Sequence, residues 1–122
     1  MDKQNISEIF VVDDDLSIGD SISSLLKLRG YRVKTFVSGK EAIKTAKEGR
    51  PDLVIIDYLL PGESAIEIID SLHSVSGESL PIVLMSASSN VAQLAKKLPI
   101  VEFIAKPFQI ELLLDTIERN LN

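Results

Sequence analysis

Five polar residues stand at the ends of short apolar runs, and their side chains are chemically complementary. They are three carboxylates, one hydroxyl and one ammonium group: Asp13, Asp14, Asp57, Ser86 and Lys106. Three carboxylates that lie close together repel one another, so such a cluster normally needs a cation. Mg²⁺ suits it, since this ion prefers one or two protein carboxylates together with phosphate oxygens. A carboxylate beside Mg²⁺ and a lysine is an anion site, and an aspartate there could accept a phosphoryl group.

The apolar runs that precede these residues have the length and composition of β-strands. Residues 53–56 are uninterrupted Leu-Val-Ile-Ile, which is typical of a strand covered on both faces in a parallel sheet. Residues 9–12 and 82–85 have the same character, so we expect these three strands to be interior. Two further strands are predicted at 31–36 and 100–105. Ligand sites in open parallel sheets lie at the carboxyl ends of the strands, where the polar residues stand.

Helical periodicity fills the intervals between the strands. The predicted helices begin and end near residues 16–29, 38–49, 64–77, 90–97 and 108–120. Asp14 or Asp15, Ser38, and Glu63 or Ser64 are candidate caps of the first three. Five strands alternating with five helices predict an α/β fold, a doubly wound five-stranded parallel sheet with helices on both faces.

Three side-chain orientations follow from these patterns. Tyr31, Val33 and Thr35 should share one face of the second strand. The third helix should turn its stripe of Ile66, Ile69 and Leu72 inward. His73, the one histidine, is expected to be exposed to solvent and without a role.

Length and composition restrict the possible functions. The chain has 122 residues, which predicts one domain over residues 1–122. It has no cysteine, so disulfides, thiolate metal sites and cysteine nucleophiles are excluded. The net charge is −5 and no basic run occurs, which argues against nucleic-acid binding by this domain. No signal peptide or membrane span is visible, so we expect a cytoplasmic protein without membrane contact.

The whole chain resembles the receiver domain of two-component response regulators. Four motifs carry the resemblance, in this order and at successive strand ends: Val11-Val12-Asp13-Asp14-Asp15, Asp57-Tyr58-Leu59-Leu60-Pro61-Gly62, Ser86-Ala87 and Lys106-Pro107-Phe108. Each motif alone is weak, whereas the set is highly specific. The resemblance implies a flavodoxin-like sheet with strand order 2-1-3-4-5, and a cis peptide bond between Lys106 and Pro107.

The resemblance also implies a role for each residue of the acidic site. Asp57 is the phosphoacceptor, and the donor is a phosphohistidine of a sensor histidine kinase or a histidine phosphotransfer protein. Asp14 and Asp57 bind Mg²⁺ directly, together with the main-chain carbonyl of Leu59. Asp13 reaches the ion through water. Asp15 stands at the start of the first predicted helix, so we expect it to cap that helix and not to be a ligand.

The family's switch is implied to use three further residues. Ser86 and Lys106 bind phosphoryl oxygens, and Phe103 is the switch aromatic. Their movement repacks the face built by the fourth helix, fifth strand and fifth helix. This changes the binding of a downstream protein or of an effector domain that is missing here. Such a domain catalyses only its own phosphorylation and dephosphorylation, so it is not an enzyme in the usual sense.

The chain departs from the family pattern at several positions. Ser64-Ala65 replaces the usual Asp-Gly, and Gly19 replaces a larger polar residue in the first helix. The segment between Ser86 and Lys106 is short and carries Pro99 in place of a common glycine. We therefore expect a short or irregular fourth helix, with the phosphorylation site intact.

Two other functions compete with the phosphorylation switch. One is a pseudo-receiver, the same fold acting as a protein-interaction module without phosphorylation. The other is a small Mg²⁺ phosphatase, because Asp13-Asp14-Asp15 loosely fits the Asp-x-Asp signature of haloacid-dehalogenase-like enzymes. Leu16-Ser17 fits that signature poorly. The pseudo-receiver normally lacks an acidic residue or the lysine, and this chain has kept both.

Overall fold

Strands and helices alternate along the chain. The structure is a computed structural model and describes residues 6–121. The strands are β1 (Glu8–Val12), β2 (Arg32–Phe36), β3 (Leu53–Asp57), β4 (Ile82–Ser86) and β5 (Glu102–Ala105). The helices are α1 (Leu16–Leu28), α2 (Gly39–Glu48), α3 (Ala65–Ser76), α4 (Ser89–Ala95) and α5 (Ile110–Leu121).

The five strands form one parallel sheet in the order β2-β1-β3-β4-β5. Register pairs Val12 of β1 with Ile56 of β3, and Asp57 of β3 with Met85 of β4. The predicted fold class and strand order are therefore confirmed. All residues of β3 and β4 are buried, because their apolar side chains are covered on both faces.

Each face of the sheet has its own apolar core. Alternate residues of a strand point to opposite faces, so Phe10 and Ile9 of β1 belong to different cores. The first core packs Phe10 against α2, α3 and α4, with contributors such as Ala42 and Leu72. The second core packs Ile9 against α1 and α5, with contributors such as Leu26. Helices therefore cover both faces, as predicted.

Capping residues fix where the first three helices begin. The Asp15 carboxylate accepts hydrogen bonds from the main-chain N–H groups of Ser17 and Ile18, at 2.9 and 3.3 Å. Ser38 and Ser64 cap α2 and α3 through their hydroxyl groups. Asp15 is therefore a cap, as predicted.

The exposed face of α3 differs from the sequence prediction, whereas the exposure of Thr35 on the partly covered edge strand β2 contradicts none. Ile66 of α3 is exposed, at 37%. The inward stripe of α3 runs through residues at spacing i, i+3, i+4 and i+7, which turns Ile66 outward: Ala65, Ile68, Ile69 and Leu72.

The expectation for His73 is wrong. Its ring is half-buried, and Nε2 lies 3.1 Å from the carbonyl oxygen of Leu80, which accepts the hydrogen bond from the protonated nitrogen. This contact joins α3 to the segment that leads into β4. His73 therefore has a structural role between two elements.

The predicted irregularity before β5 is confirmed. Helix α4 contains only seven residues and ends at Ala95, and a series of turns leads to Glu102. The strand consequently starts two residues later than the apolar run at 100–105 suggests. Gly19 is buried in α1, where an added Cβ atom would meet no atom within 4 Å. A cavity of about 310 Å³ lies beside it.

Candidate functional site

The carboxyl edge of the sheet brings the predicted polar residues together. Asp13 directly follows β1, Asp57 ends β3, Ser86 ends β4, and Lys106 directly follows β5. Because all the strands are parallel, these four residues lie at one edge. Asp57 stands on the central strand, between the ends of β1 and β4.

Three carboxylates converge at this edge. Asp13, Asp14 and Asp57 each offer an oxygen atom, and these atoms all lie within 4.8 Å of one another. Asp13 and Asp57 are buried, at 2% and 6% exposure, whereas Asp14 is exposed. Hard oxygen ligands at this spacing suit a divalent cation such as Mg²⁺. Because Asp14 is the exposed member of the cluster, the ion would enter from the solvent on that side.

Lys106 binds two of the three carboxylates. Its Nζ donates to Asp13 Oδ2 at 2.9 Å and to Asp57 Oδ2 at 2.7 Å. Burial lowers the pKa of this ammonium group, but its hydrogen bonds to Asp57 and Asp13 and their negative charges outweigh burial. The pKa of Lys106 therefore lies above its ordinary value of 10.5. Three carboxylates and one ammonium group leave two negative charges unbalanced.

The loop after β3 folds back onto Asp57. The Leu59 N–H donates to Asp57 Oδ1 at 3.0 Å, and the Tyr58 N–H donates to the Met85 carbonyl at 2.8 Å. The Leu59 side chain is 56% exposed, so the rim of the site is apolar here. Both oxygens of Asp57 therefore have a donor, Leu59 on one side and Lys106 on the other.

Ser86 is buried at the end of β4. Its Oγ accepts a hydrogen bond from the Ser88 N–H at 3.0 Å, and its carbonyl accepts one from the Lys106 N–H at 2.9 Å. The end of β4 is thus hydrogen-bonded to the main chain of Lys106. Its hydroxyl hydrogen is not used in the bond to Ser88 and remains a donor. The peptide bond between Lys106 and Pro107 is cis, as the resemblance implies.

Phe103 lies apart from the acidic cluster. It is half-buried on β5 and packs against the first core. It lines a groove of about 400 Å³ between α4 and β5, together with Ala92 and Leu98. Its role as a switch aromatic stays a prediction.

The contacts of Glu63 were not predicted from the sequence, which indicated only that this residue could cap the start of α3. Ser64 caps that helix instead. The Glu63 carboxylate reaches α2, where Oε1 accepts from the Gly39 N–H at 2.8 Å and Oε2 from the Lys40 N–H at 2.9 Å. These partners are more than twenty residues away along the chain, so no local pattern could have indicated them.

A comparison with protein families identifies this arrangement. The family described as "Response regulator receiver domain" matches residues 9–118 of the chain. The chain belongs to this family. Receiver domains are signalling modules of two-component systems rather than conventional enzymes. The match includes residues of all five strands, together with the acidic residues and the lysine.

Curated relatives of this receiver domain are longer proteins. It is 33% identical over 108 residues to response regulator MprA of Mycolicibacterium vanbaalenii, covering 87% of this chain and 46% of that protein. It is 33% identical over 103 residues to DNA-binding response regulator MtrA of Mycolicibacterium paratuberculosis, covering 83% and 45%. The chain therefore spans less than half the length of these relatives.

Solved structures of similar fold are closer in length to this receiver domain. Chemotaxis protein CheY4 of Vibrio cholerae superposes with a TM-score of 0.86 at 29% identity, over 95% of this chain and 99% of that one. Response regulator TrrA of Thermotoga maritima, solved in complex with Mg(2+)-BeF, gives a TM-score of 0.86 at 28% identity, over 95% of this chain and 100% of that one.

Within residues 6–121 of the receiver domain, every helix is too short or too polar to cross a bilayer.

Proposed function

We propose that this receiver domain is a phosphorylation-controlled switch in which Asp57 accepts a phosphoryl group from a phosphohistidine. The observation that carries the proposal is the position of Asp57. It ends the central strand, lies in the three-carboxylate cluster and shares Lys106 with Asp13. No other carboxylate in the described residues combines these three features.

Mg²⁺ is the cation that this cluster fits best. The two unbalanced charges and the three oxygens within 4.8 Å suit a hard divalent ion. Asp14 and Asp57 would hold it directly with the Leu59 carbonyl, and Asp13 would hold it through water. When bound, the ion supplies positive charge that neutralises the phosphoryl oxygens. The similar protein TrrA was solved with Mg(2+)-BeF, which supports a magnesium site on this fold.

The chain's own residues supply the remaining steps. One oxygen of Asp57 attacks phosphorus, and the phosphorus–nitrogen bond of the phosphohistidine breaks with its electron pair left on the nitrogen. An aspartyl phosphate forms, and the donor leaves with an unmodified histidine. The Lys106 ammonium group, now on Asp57 Oδ2, moves onto a phosphoryl oxygen. The Ser86 hydroxyl still accepts the hydrogen bond from the Ser88 N–H, and it donates its own hydrogen to a second phosphoryl oxygen.

The output of the switch is a change in the face formed by α4, β5 and α5. Ser86 is the last residue of β4, and Lys106 is the first residue after β5. Their movement toward a phosphoryl group therefore alters the packing beside Phe103. Phe103 lies at a groove that leaves space for its ring to reorient. The altered face would bind a downstream protein or an effector domain.

The upstream partner is a sensor histidine kinase or a histidine phosphotransfer protein. A donor that reaches Asp57 must contact the rim of the site. An apolar groove of about 480 Å³ opens there beside Lys106, between α1 and the segment after β5. Its lining includes Ile18, Ile22, Pro107 and Phe108, which offer a donor apolar contact area.

Phosphorylation by a small donor tests the proposal directly. The chain is incubated with acetyl phosphate and Mg²⁺, and its intact mass is recorded. We expect a gain of one phosphoryl group, which is absent in Asp57→Asn and in the presence of a chelator. Asp70→Asn is the matched control, because Asp70 is exposed on α3 and lies outside the cluster. Wild-type protein that stays unmodified, under conditions that modify another receiver domain, would instead support the pseudo-receiver.

A further inference from the structure

The loop between β3 and α3 is fastened to α2 by the side chain of Glu63. Both carboxylate oxygens accept main-chain N–H groups at the start of α2, from Gly39 at 2.8 Å and from Lys40 at 2.9 Å. The first N–H groups of a helix have no partner within the helix, and a negative charge is favoured there. The next N–H, that of Glu41, bonds to the Ser38 hydroxyl at 3.3 Å. Glu63 therefore completes the cap of α2 from outside.

The same loop carries the residues beside the phosphoacceptor. The Glu63 N–H donates to the Leu60 carbonyl at 3.0 Å and closes a tight turn, in which Gly62 has φ 73°. Leu60 is buried in the first core at 4% exposure. The preceding residue, Leu59, is bonded to Asp57 through its N–H. One tight turn therefore connects Glu63 to Leu60 and, through it, to Leu59.

The start of α2, to which this loop is attached, is closely packed against α3. Gly39 lies directly against the Ile68 side chain, so closely that a Cβ atom at position 39 would clash with it. Gly39 is buried, and the neighbouring Ala42 belongs to the first core. The start of α2 is thus held by α3, and Glu63 holds the loop to the start of α2.

We propose that Glu63 is a positioning residue, which clamps the loop after β3 to α2 and thereby sets the Leu59 carbonyl for the metal ion beside Asp57. This inference rests on the proposed function, because it takes the Leu59 carbonyl as a Mg²⁺ ligand. Glu63 itself touches neither the metal nor the phosphoryl group. Its two hydrogen bonds act at a distance, by fixing one conformation of a loop that Mg²⁺ would otherwise have to order.

Magnesium affinity separates positioning from general stabilisation. The dissociation constant for Mg²⁺ is measured by calorimetry for wild type, Glu63→Gln and Glu63→Ala. Gln keeps one acceptor and loses the charge, and Ala loses both acceptors. We expect the dissociation constant to rise about threefold in Glu63→Gln and about tenfold in Glu63→Ala. The rate of phosphorylation by acetyl phosphate at saturating Mg²⁺ should stay near the wild-type rate, because the ion restores the loop.

The control is Glu67→Gln, because Glu67 is an exposed carboxylate in the first turn of the adjacent helix. It should bind Mg²⁺ as wild type does. Amide exchange at Gly39 and Lys40 is followed in the same samples to verify that the clamp has loosened in the Glu63 variants. Faster exchange with an unchanged Mg²⁺ dissociation constant would overturn the inference.

Two failures are distinguishable in this design. A wild-type chain that neither binds Mg²⁺ nor accepts a phosphoryl group would refute the proposed function and the inference together. A wild-type chain that does both, while Glu63→Gln matches it in Mg²⁺ affinity, would refute the inference alone. If Glu63→Ala does not fold, Glu63→Gln decides, since it preserves the shape of the side chain.

Discussion

The amino and carboxyl edges of the sheet use the same kinds of side chain in opposite ways. At the amino edge two charged groups, those of Asp52 and Arg50, meet neutral main-chain partners. Asp52 Oδ2 accepts from the Glu8 N–H at 2.7 Å, and Arg50 Nε donates to the Ser76 carbonyl at 2.6 Å. At the carboxyl edge three carboxylates lie within a few ångströms of one another, and two of them, Asp13 and Asp57, share one lysine.

The difference lies in charge balance and burial. The charges of Asp52 and Arg50 are exposed, so solvent satisfies them together with one hydrogen bond for Asp52 and two for Arg50. Asp13 and Asp57 are almost fully buried, and two negative charges of their cluster stay unbalanced. Buried like charges cost free energy, and such clusters are concentrated at functional sites. Their presence at the carboxyl edge therefore indicates that the functional site lies there.

Replacing the shared lysine should have the largest effect on this contrast. Without Mg²⁺, Lys106→Met leaves two buried carboxylates without their cation, and the free energy of unfolding should fall by about 3 kcal/mol. Mg²⁺ should restore more stability to this variant than it adds to wild type, because no ammonium group competes for the oxygens. Urea denaturation with and without MgCl₂ measures both effects.

Lys44→Met is the control for this substitution, since Lys44 is exposed on α2. It should change neither the free energy of unfolding nor the response to Mg²⁺. Equal gains from Mg²⁺ in wild type and Lys106→Met would contradict the competition between the ammonium group and the ion.

Removing one negative charge from the cluster should have the next largest effect. Asp14→Asn should weaken Mg²⁺ binding about tenfold, because a direct carboxylate ligand is lost. Without Mg²⁺ it should raise the melting temperature slightly, because the repulsion among the three carboxylates is relieved. Calorimetry and thermal unfolding measure the two quantities, with Asp70→Asn as the exposed control. A lower melting temperature without Mg²⁺ would show that the carboxylates do not repel one another.

The carboxyl edge was predictable from the sequence because its geometry follows from local signals. Apolar runs of four or five residues predict strands, and parallel strands place their ends together. Asp13, Asp57, Ser86 and Lys106 each stand at such an end, so the strand assignment alone brings them to one edge. Their roles in phosphoryl transfer and the domain limits stay predictions.

The contacts made across the fold were not predictable in this way. His73 is hydrogen-bonded to the Leu80 carbonyl. Glu63 accepts hydrogen bonds at the start of α2, a helix that Ser38 also caps locally. The buried stripe of α3 also differs from the predicted one, since it includes Ile68 and not Ile66, although both positions are apolar and both fit a helical periodicity. In each case the deciding partner lies on another element, and its position depends on packing rather than on spacing.

At the amino edge, removing a charged group should cost stability and leave the site unchanged. Asp52→Ala deletes the acceptor for the Glu8 N–H at the start of β1, and the free energy of unfolding should fall by about 1 kcal/mol. Mg²⁺ affinity and phosphorylation by acetyl phosphate should match wild type, because the substitution lies at the opposite end of β3. A change in Mg²⁺ affinity would show that the two edges are energetically coupled.

The smallest effect concerns Tyr31, which leads into β2 at the amino edge. Burial and the negative charge of Glu118 raise the pKa of its phenol above 10.0, and Arg29 opposes them in part. A raised pKa in the folded state means that the stabilisation is fully present below the unfolded pKa and is lost as pH rises through the folded pKa. Wild type should therefore lose more stability than Tyr31→Phe above about pH 10, by less than about 0.5 kcal/mol because the partly exposed group is screened by solvent.

Urea denaturation of both proteins between about pH 8 and pH 11 measures this difference. Glu118→Gln should remove the part of it that the carboxylate contributes. Parallel curves for wild type and Tyr31→Phe would contradict the raised pKa. Mg²⁺ affinity at neutral pH should be the same in all three proteins, because a group at the amino edge tunes the stability of the fold and leaves the charge of the acidic cluster unaltered.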